Sequence, residues 1–196
     1  MWKDKTVIFL GASVTYGSAA GGISFAELIA ERTGCTMIKE AVSGTTLADL
    51  DESSYVSRMK TIQTEKADLL VCQFSTNDAT RGLPLGEITA EEADEKTVVG
   101  AINAIVRYAK ENWNCPVAFY TNPRYESDAY EKMVAALLLL APKLGVAVVD
   151  LWNDSAFNAI TEEQRAVWMA DAIHPTLAGY REWWTPVIEA KLAQVL

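Results

Sequence analysis

The chain predicts an α/β fold: an open, doubly wound parallel sheet covered by helices on both faces. Three observations carry that expectation. Five short β-rich runs recur along the 196 residues, most of them continuously apolar, and longer helical patterns separate them. Continuous apolar runs are what parallel strands need when both faces of their sheet are buried.

The first strand, Thr6–Leu10, runs into the turn Gly11-Ala12-Ser13-Val14-Thr15-Tyr16-Gly17. Ser24–Arg32 follows as a helix that Gly34 ends. The second strand is Thr36–Ala41, and Ala48–Gln63 reads as a helical stretch broken around Asp51–Ser54. The third strand, Leu69–Phe74, precedes the least regular segment, Ala79–Lys96, with Gly82, Pro84, Gly86 and five acidic residues from Glu87 to Glu95. A segment of that length is a functional loop or a solvated acidic excursion with a short helix near Ala90–Glu95. The clearest helix places Val98, Ile102, Ile105 and Ala109 on one face, with Arg107, Lys110 and Glu111 off it. Strand Pro116–Thr121, a leucine-rich helix Ser127–Leu144 ended by Gly145, and strand Val146–Leu151 come next. The last helix runs from Thr176 toward Leu192, with Pro186 kinking or restarting it. With no internal repeat, low-complexity segment or linker, residues 1–196 read as one domain.

Composition excludes several function classes. A net charge of -9 argues against a sequence-independent grip on nucleic acid and gives no attraction to an anionic membrane. The longest apolar stretch, Met133–Ala141, is far below spanning length, and no leader-like segment opens the chain, so a cytoplasmic protein is expected. Three cysteines without C-x-x-C spacing suggest neither a disulfide framework nor a zinc site, and no metal or other cofactor is expected. Cys72 reads as a buried hydrophobe. Cys35 and Cys115 sit at or before strand starts, the wrong end for chemistry in a parallel sheet.

Ligands in such sheets bind beyond the carboxyl ends of the strands. The first three strands end there in Ser13, in Ser43-Gly44-Thr45-Thr46 and in Ser75-Thr76-Asn77-Asp78. The one histidine, His174, lies in Asp171-Ala172-Ile173-His174-Pro175. A serine becomes a nucleophile when an imidazole takes its proton and a carboxylate holds that imidazole. Ser13, His174 and Asp171 are therefore the candidate catalytic residues, with Asp150 a rival carboxylate. The Ser13 amide, the Gly44 amide and the Asn77 side chain are candidate donors to an oxyanion. Asp78 reads as structural. Arg81, Arg124 and Tyr125 follow strand ends as candidate substrate contacts, and Trp168 is a candidate pocket wall.

These residues bring a resemblance. Ser13, Gly44, Asn77 and His174 match, in order, the four blocks of the SGNH hydrolases, the esterase superfamily also called GDSL-type lipases and acylhydrolases. The closing run from Met169 to Pro175, followed by Ala178-Gly179-Tyr180, is similar to the family's last block. The resemblance implies a flavodoxin-like three-layer αβα sandwich on a five-stranded parallel sheet. It also implies a serine esterase working through an acyl-enzyme. Two positions depart from the pattern: Ala12 stands where the family usually has Asp, and Ser75 where it usually has Gly. With no large lid evident, short acyl groups such as acetyl are expected, and deacetylation of a sugar ester is a family-level implication. Acyl transfer or thioesterase action would use the same residues. A catalytically silent binding protein would keep the scaffold alone.

Overall fold

The computed structural model describes residues 2–196. Five strands form one parallel sheet in the order β2-β1-β3-β4-β5. They are β1 (Thr6–Gly11), β2 (Thr36–Ala41), β3 (Leu69–Gln73), β4 (Val117–Tyr120) and β5 (Ala147–Val149). All five expected strands are present, the last being the most trimmed. Side chains alternate across the sheet. Ile8, Leu10, Leu70, Cys72 and Phe119 enter one core, while Val7, Phe9, Leu69, Val71 and Tyr120 enter the other. Both faces are covered, giving the α/β/α sandwich.

The helices are α1 (Ser13–Tyr16), α2 (Phe25–Thr33), α3 (Tyr55–Met59), α4 (Thr76–Thr80), α5 (Val98–Asn112), α6 (Asp128–Leu144), α7 (Ser155–Asn158) and α8 (Glu162–Trp168). A short α9 (Leu177–Gly179) runs through a π-helical turn (Tyr180–Trp184) into α10 (Thr185–Leu192). Buried residues of α3, α5 and α6 fill the first core, and those of α2, the π-helical turn and α10 fill the second. Ser24 and Ser127 are caps rather than first-turn residues, each accepting a backbone N–H of its helix. Pro186 opens α10 directly after the widened π turn, so the helix restarts there because Pro lacks the N–H an uninterrupted α-helix would use.

Two expectations are corrected. Only Tyr55–Met59 of Ala48–Gln63 is helical. The Ser54 hydroxyl accepts the Leu50 and Asp51 amides at 2.9 and 3.1 Å, and Asp51 Oδ1 accepts the Ser53 amide at 2.8 Å. Those local bonds offer the backbone an alternative to a helix and make the expected break around Asp51–Ser54, but the helix beyond it is shorter than expected. The acidic segment also forms no helix at Ala90–Glu95. It is pinned across α5 instead, where Asn103 Nδ2 donates to the Thr89 and Glu91 carbonyls at 2.9 and 2.6 Å.

The connection from β1 leads to β2 on one side, while β3 lies on the other side of β1. That reversal opens a crevice at the carboxyl ends of β1 and β3, where a ligand is best received.

Candidate active site

Ser13 is the first residue of α1, at the mouth of that crevice, and is buried. Its turn is clamped by one side chain of β3. The Gln73 side-chain oxygen Oε1 accepts the Ala12 amide at 3.0 Å, the Thr15 amide at 3.1 Å and the Thr15 hydroxyl at 2.9 Å. The Tyr120 hydroxyl joins from β4, 2.6 Å from that of Thr15. A Cβ on Gly11 would fall 1.9 Å from Thr15 Oγ1 and 2.8 Å from Gln73 Cβ, so the turn closes only around glycine. Sequence reasoning passed over Gln73, although it is the polar residue of an otherwise apolar strand run.

His174 reaches Ser13 from a surface hairpin. Its Nε2 lies 2.8 Å from Ser13 Oγ, and its Nδ1 lies 2.7 Å from Asp171 Oδ2. An ionised Asp171 can only accept, so Nδ1 carries the proton and Nε2 is left to accept from the serine hydroxyl. Asp171 Oδ1 also accepts the Ile173 and His174 amides at 2.7 and 2.8 Å. Burial, the largest single influence, raises the Asp171 pKa. The Ile173 amide, the His174 ring and the His174 amide together outweigh it and hold the carboxyl below its usual range. A bridge between Met169 and Pro175 closes the hairpin, and Asn122 Nδ2 at the end of β4 donates to the Ile173 carbonyl at 3.0 Å. Asp150, the rival carboxylate, is taken up by the Asn153 amide and side chain at 3.0 and 2.8 Å.

Gly44 lies on the loop after β2 with φ +81°, a backbone conformation that favours glycine. Asn77 Nδ2 donates one hydrogen to the Thr45 carbonyl at 2.8 Å, which leaves its second hydrogen to give. Arg81 is engaged in the same place, donating to the Gly44 carbonyl at 2.7 Å. The Asp78 carboxylate accepts the Leu47 and Ala48 amides at 2.8 and 2.9 Å, the structural role expected of it. Burial pushes its pKa up despite those bonds. Ser75 caps α4 by accepting the Asp78 amide at 3.3 Å, so this departure from the family pattern supports the helix that carries Asn77.

Arg124, Tyr125, Arg165 and Met169 line a groove of about 440 Å³ that extends to Asp171. Trp168 faces elsewhere: its ring stacks on Trp183 and borders a hollow with Phe157 and Ile160. Among the described residues, no cluster of three or more His, Cys, Asp or Glu is arranged to hold a metal.

The GDSL-like lipase/acylhydrolase family model matches residues 9–182. The chain belongs to this family. It is a serine hydrolase of the SGNH/GDSL type, a carboxylic ester hydrolase acting on small ester substrates. No curated protein matches the sequence. Solved structures similar to this SGNH/GDSL chain include a Lactobacillus plantarum protein with 22% identity, TM-score 0.82 and 99% of each chain covered. A putative G-D-S-L lipolytic protein from Desulfitobacterium hafniense has 19% identity and TM-score 0.73, covering 98% of this chain and 100% of that one. An acetyl xylan esterase has 17% identity and TM-score 0.68, covering 94% and 98%. At these identities the likeness is one of fold. No helix of the described residues is long and apolar enough to cross a membrane.

Proposed function

We propose that Ser13 is the nucleophile, His174 the general base and then acid, and Asp171 the residue that orients the imidazole. The observation that carries this reading is the continuous hydrogen-bond chain Ser13–His174–Asp171, at 2.8 and 2.7 Å. Ser13 Oγ adds to the ester carbonyl as its proton passes to His174 Nε2. The imidazolium then returns that proton to the departing alkoxide, leaving an acyl-Ser13 and a free alcohol. Water, activated by the same imidazole, releases the acid and restores the serine. The negative oxygen formed in each half is received by the Ser13 and Gly44 amides and the free hydrogen of Asn77 Nδ2. Each such donor is worth about 2.7–4 kcal/mol in enzymes where it has been removed. None of these steps calls on a metal or organic cofactor.

The substrate is a short-acyl ester, acetyl first among them, and a sugar acetate fits the name of the acetyl xylan esterase whose fold is similar. Arg124 lines the groove that reaches Asp171 but not Ser13, Gly44 or Asn77, so it would meet only a part of the substrate remote from the ester carbonyl. Arg81 acts through the Gly44 loop it holds. Trp168 supports the base of the hairpin, where its carbonyl accepts the Thr176 amide at 2.9 Å. Residues 1–196 act as one domain, and three unpaired buried cysteines suit a reducing cytoplasm.

Incubating the protein with a fluorophosphonate and mapping the adduct by peptide mass spectrometry tests this directly. The expected result is a single adduct on Ser13, lost in Ser13→Ala together with turnover of p-nitrophenyl acetate. A folded protein that takes no label at Ser13 refutes hydrolysis through this serine. Label with acyl transferred to an added alcohol or thiol, in preference to water, redefines the reaction as acyl transfer.

A further inference from the structure

Among the described residues, two charged side chains are buried, Arg58 and Asp78, and both grip the loop that carries Gly44. Asp78 holds the far end of that loop through Leu47 and Ala48. Arg58, on α3, holds the near end and does more. Its Nη2 donates to the Gly11 carbonyl at 2.7 Å and to Thr45 Oγ1 at 3.1 Å. Its Nη1 meets Glu40 of β2 at 2.9 Å, and its Nε donates to the Ser53 carbonyl at 2.7 Å. Gly11 stands two residues before Ser13, and Thr45 directly follows Gly44. One planar guanidinium therefore joins the serine turn to the Gly44 loop and references both to β2 and α3.

Ion pairing alone gives this arrangement little reason to exist. Burying the guanidinium costs desolvation that its attraction to Glu40, whose side chain is 32% exposed, barely offsets. Position does give a reason. The two segments that Arg58 ties together supply two of the three proposed oxyanion donors, and their spacing decides whether those donors converge on one oxygen. Ala12, between Gly11 and Ser13, is fully buried among apolar side chains and has no polar side chain with which to hold the turn to that loop. We propose that Arg58 is a positioning residue for ester hydrolysis, locking the Ser13 turn to the Gly44–Thr45 loop.

The inference rests on Ser13 being the nucleophile, and the two fail differently. Wild-type protein that takes no fluorophosphonate at Ser13 refutes that reading, whereas labelling indifferent to Arg58 refutes this one alone. The test is Arg58→Met combined with Glu40→Gln, which leaves no stranded partner charge. With p-nitrophenyl acetate, kcat should fall about 10- to 100-fold, as small misplacements do, with KM within about threefold. Fluorophosphonate labelling should slow in parallel, and Arg58→Lys should recover only part, because an ammonium lacks the planar fork. Asp68→Asn, far from the site, is the control for loss of stability alone and should leave kcat unchanged. A double variant with kcat within threefold of wild type overturns the proposal. If that variant fails to fold, Thr45→Val decides, measured both in wild type and in Arg58→Lys, because the Thr45 hydroxyl also donates to the Val42 carbonyl at 2.7 Å. A kcat loss in wild type that shrinks in Arg58→Lys supports the proposal, and an equal loss in both overturns it.

Discussion

The two halves of the proposed triad are held in opposite ways. Ser13 lies on a turn knitted into the sheet by buried groups from β3 and β4 and by Arg58. Asp171 and His174 sit on a surface hairpin, their side chains 56% and 26% exposed, and their mutual contact spans three residues of sequence. The proposed nucleophile is thus fixed by the fold, and the proposed base mainly by its own hairpin, with one tie from Asn122. Damage to the first half should cost stability and activity together. Damage to the second should cost activity alone.

The largest effect expected from this contrast is His174→Ala. Removing a triad base costs about 10⁴- to 10⁶-fold in kcat in serine hydrolases where it has been measured, so hydrolysis should fall at least about 10⁴-fold. Tm should hardly move. Asp171→Asn should cost about 10³-fold, less than a fully buried orienting carboxylate, because solvent already shares in stabilising the imidazolium. Its remaining oxygen still accepts the Ile173 and His174 amides, so circular dichroism should be unchanged. A marked loss of folding in either variant would break the comparison.

Gln73→Leu probes the other half. It strands the Ala12 and Thr15 amides in a buried site, and each lost partner costs about 1–3 kcal/mol. Urea unfolding should show a loss of about 2–6 kcal/mol, and kcat should fall about 10-fold or more as the serine turn loosens. Activity lost without stability, or the reverse, would show that the turn is not held as one unit.

This difference also decides what the sequence made legible. Ser13, Gly44 and Asn77 were readable because each follows a strand in a glycine-bearing or polar turn. Asp171 was readable because it lies three residues from His174 and a single turn joins them. The bracing groups were not. Gln73 meets Thr15 across 58 residues, and Arg58 meets Gly11 across 47, distances that only the parallel pairing of β1 with its neighbours abolishes. A lone glutamine in an apolar strand was the available signal, and it points to a buried polar contact without naming the partner. The strands were legible because their apolar runs are unbroken. The break in Ala48–Gln63 around Asp51–Ser54 was legible because serine and aspartate side chains there capture backbone amides that a helix would have used, while the shortness of the helix that follows, Tyr55–Met59, was not.

The smallest expected effect comes from a carboxylate outside both halves. Asp68, at the amino-terminal ends of the strands, accepts the Thr6 amide at 2.9 Å and pairs with Lys5 and Lys66 at 3.1 and 3.3 Å. The Thr6 amide is the main cause of a pKa lowered to about 2, with the two lysines adding to it and burial opposing it. Because the folded value lies below the unfolded one of about 3.9, the folded state binds the proton less readily and gains from ionisation. That stabilisation, on the order of 2 kcal/mol, is fully present above about pH 4 and is lost as pH falls through about 2. Asp68→Asn should therefore unfold at lower urea than wild type at pH 7, with the gap closing toward pH 2, while kcat stays the same at pH 7. A gap that persists undiminished at pH 2 would assign the effect to packing rather than charge. A changed kcat would mean that the two ends of the sheet are coupled, and that the serine turn answers to more than the groups that touch it.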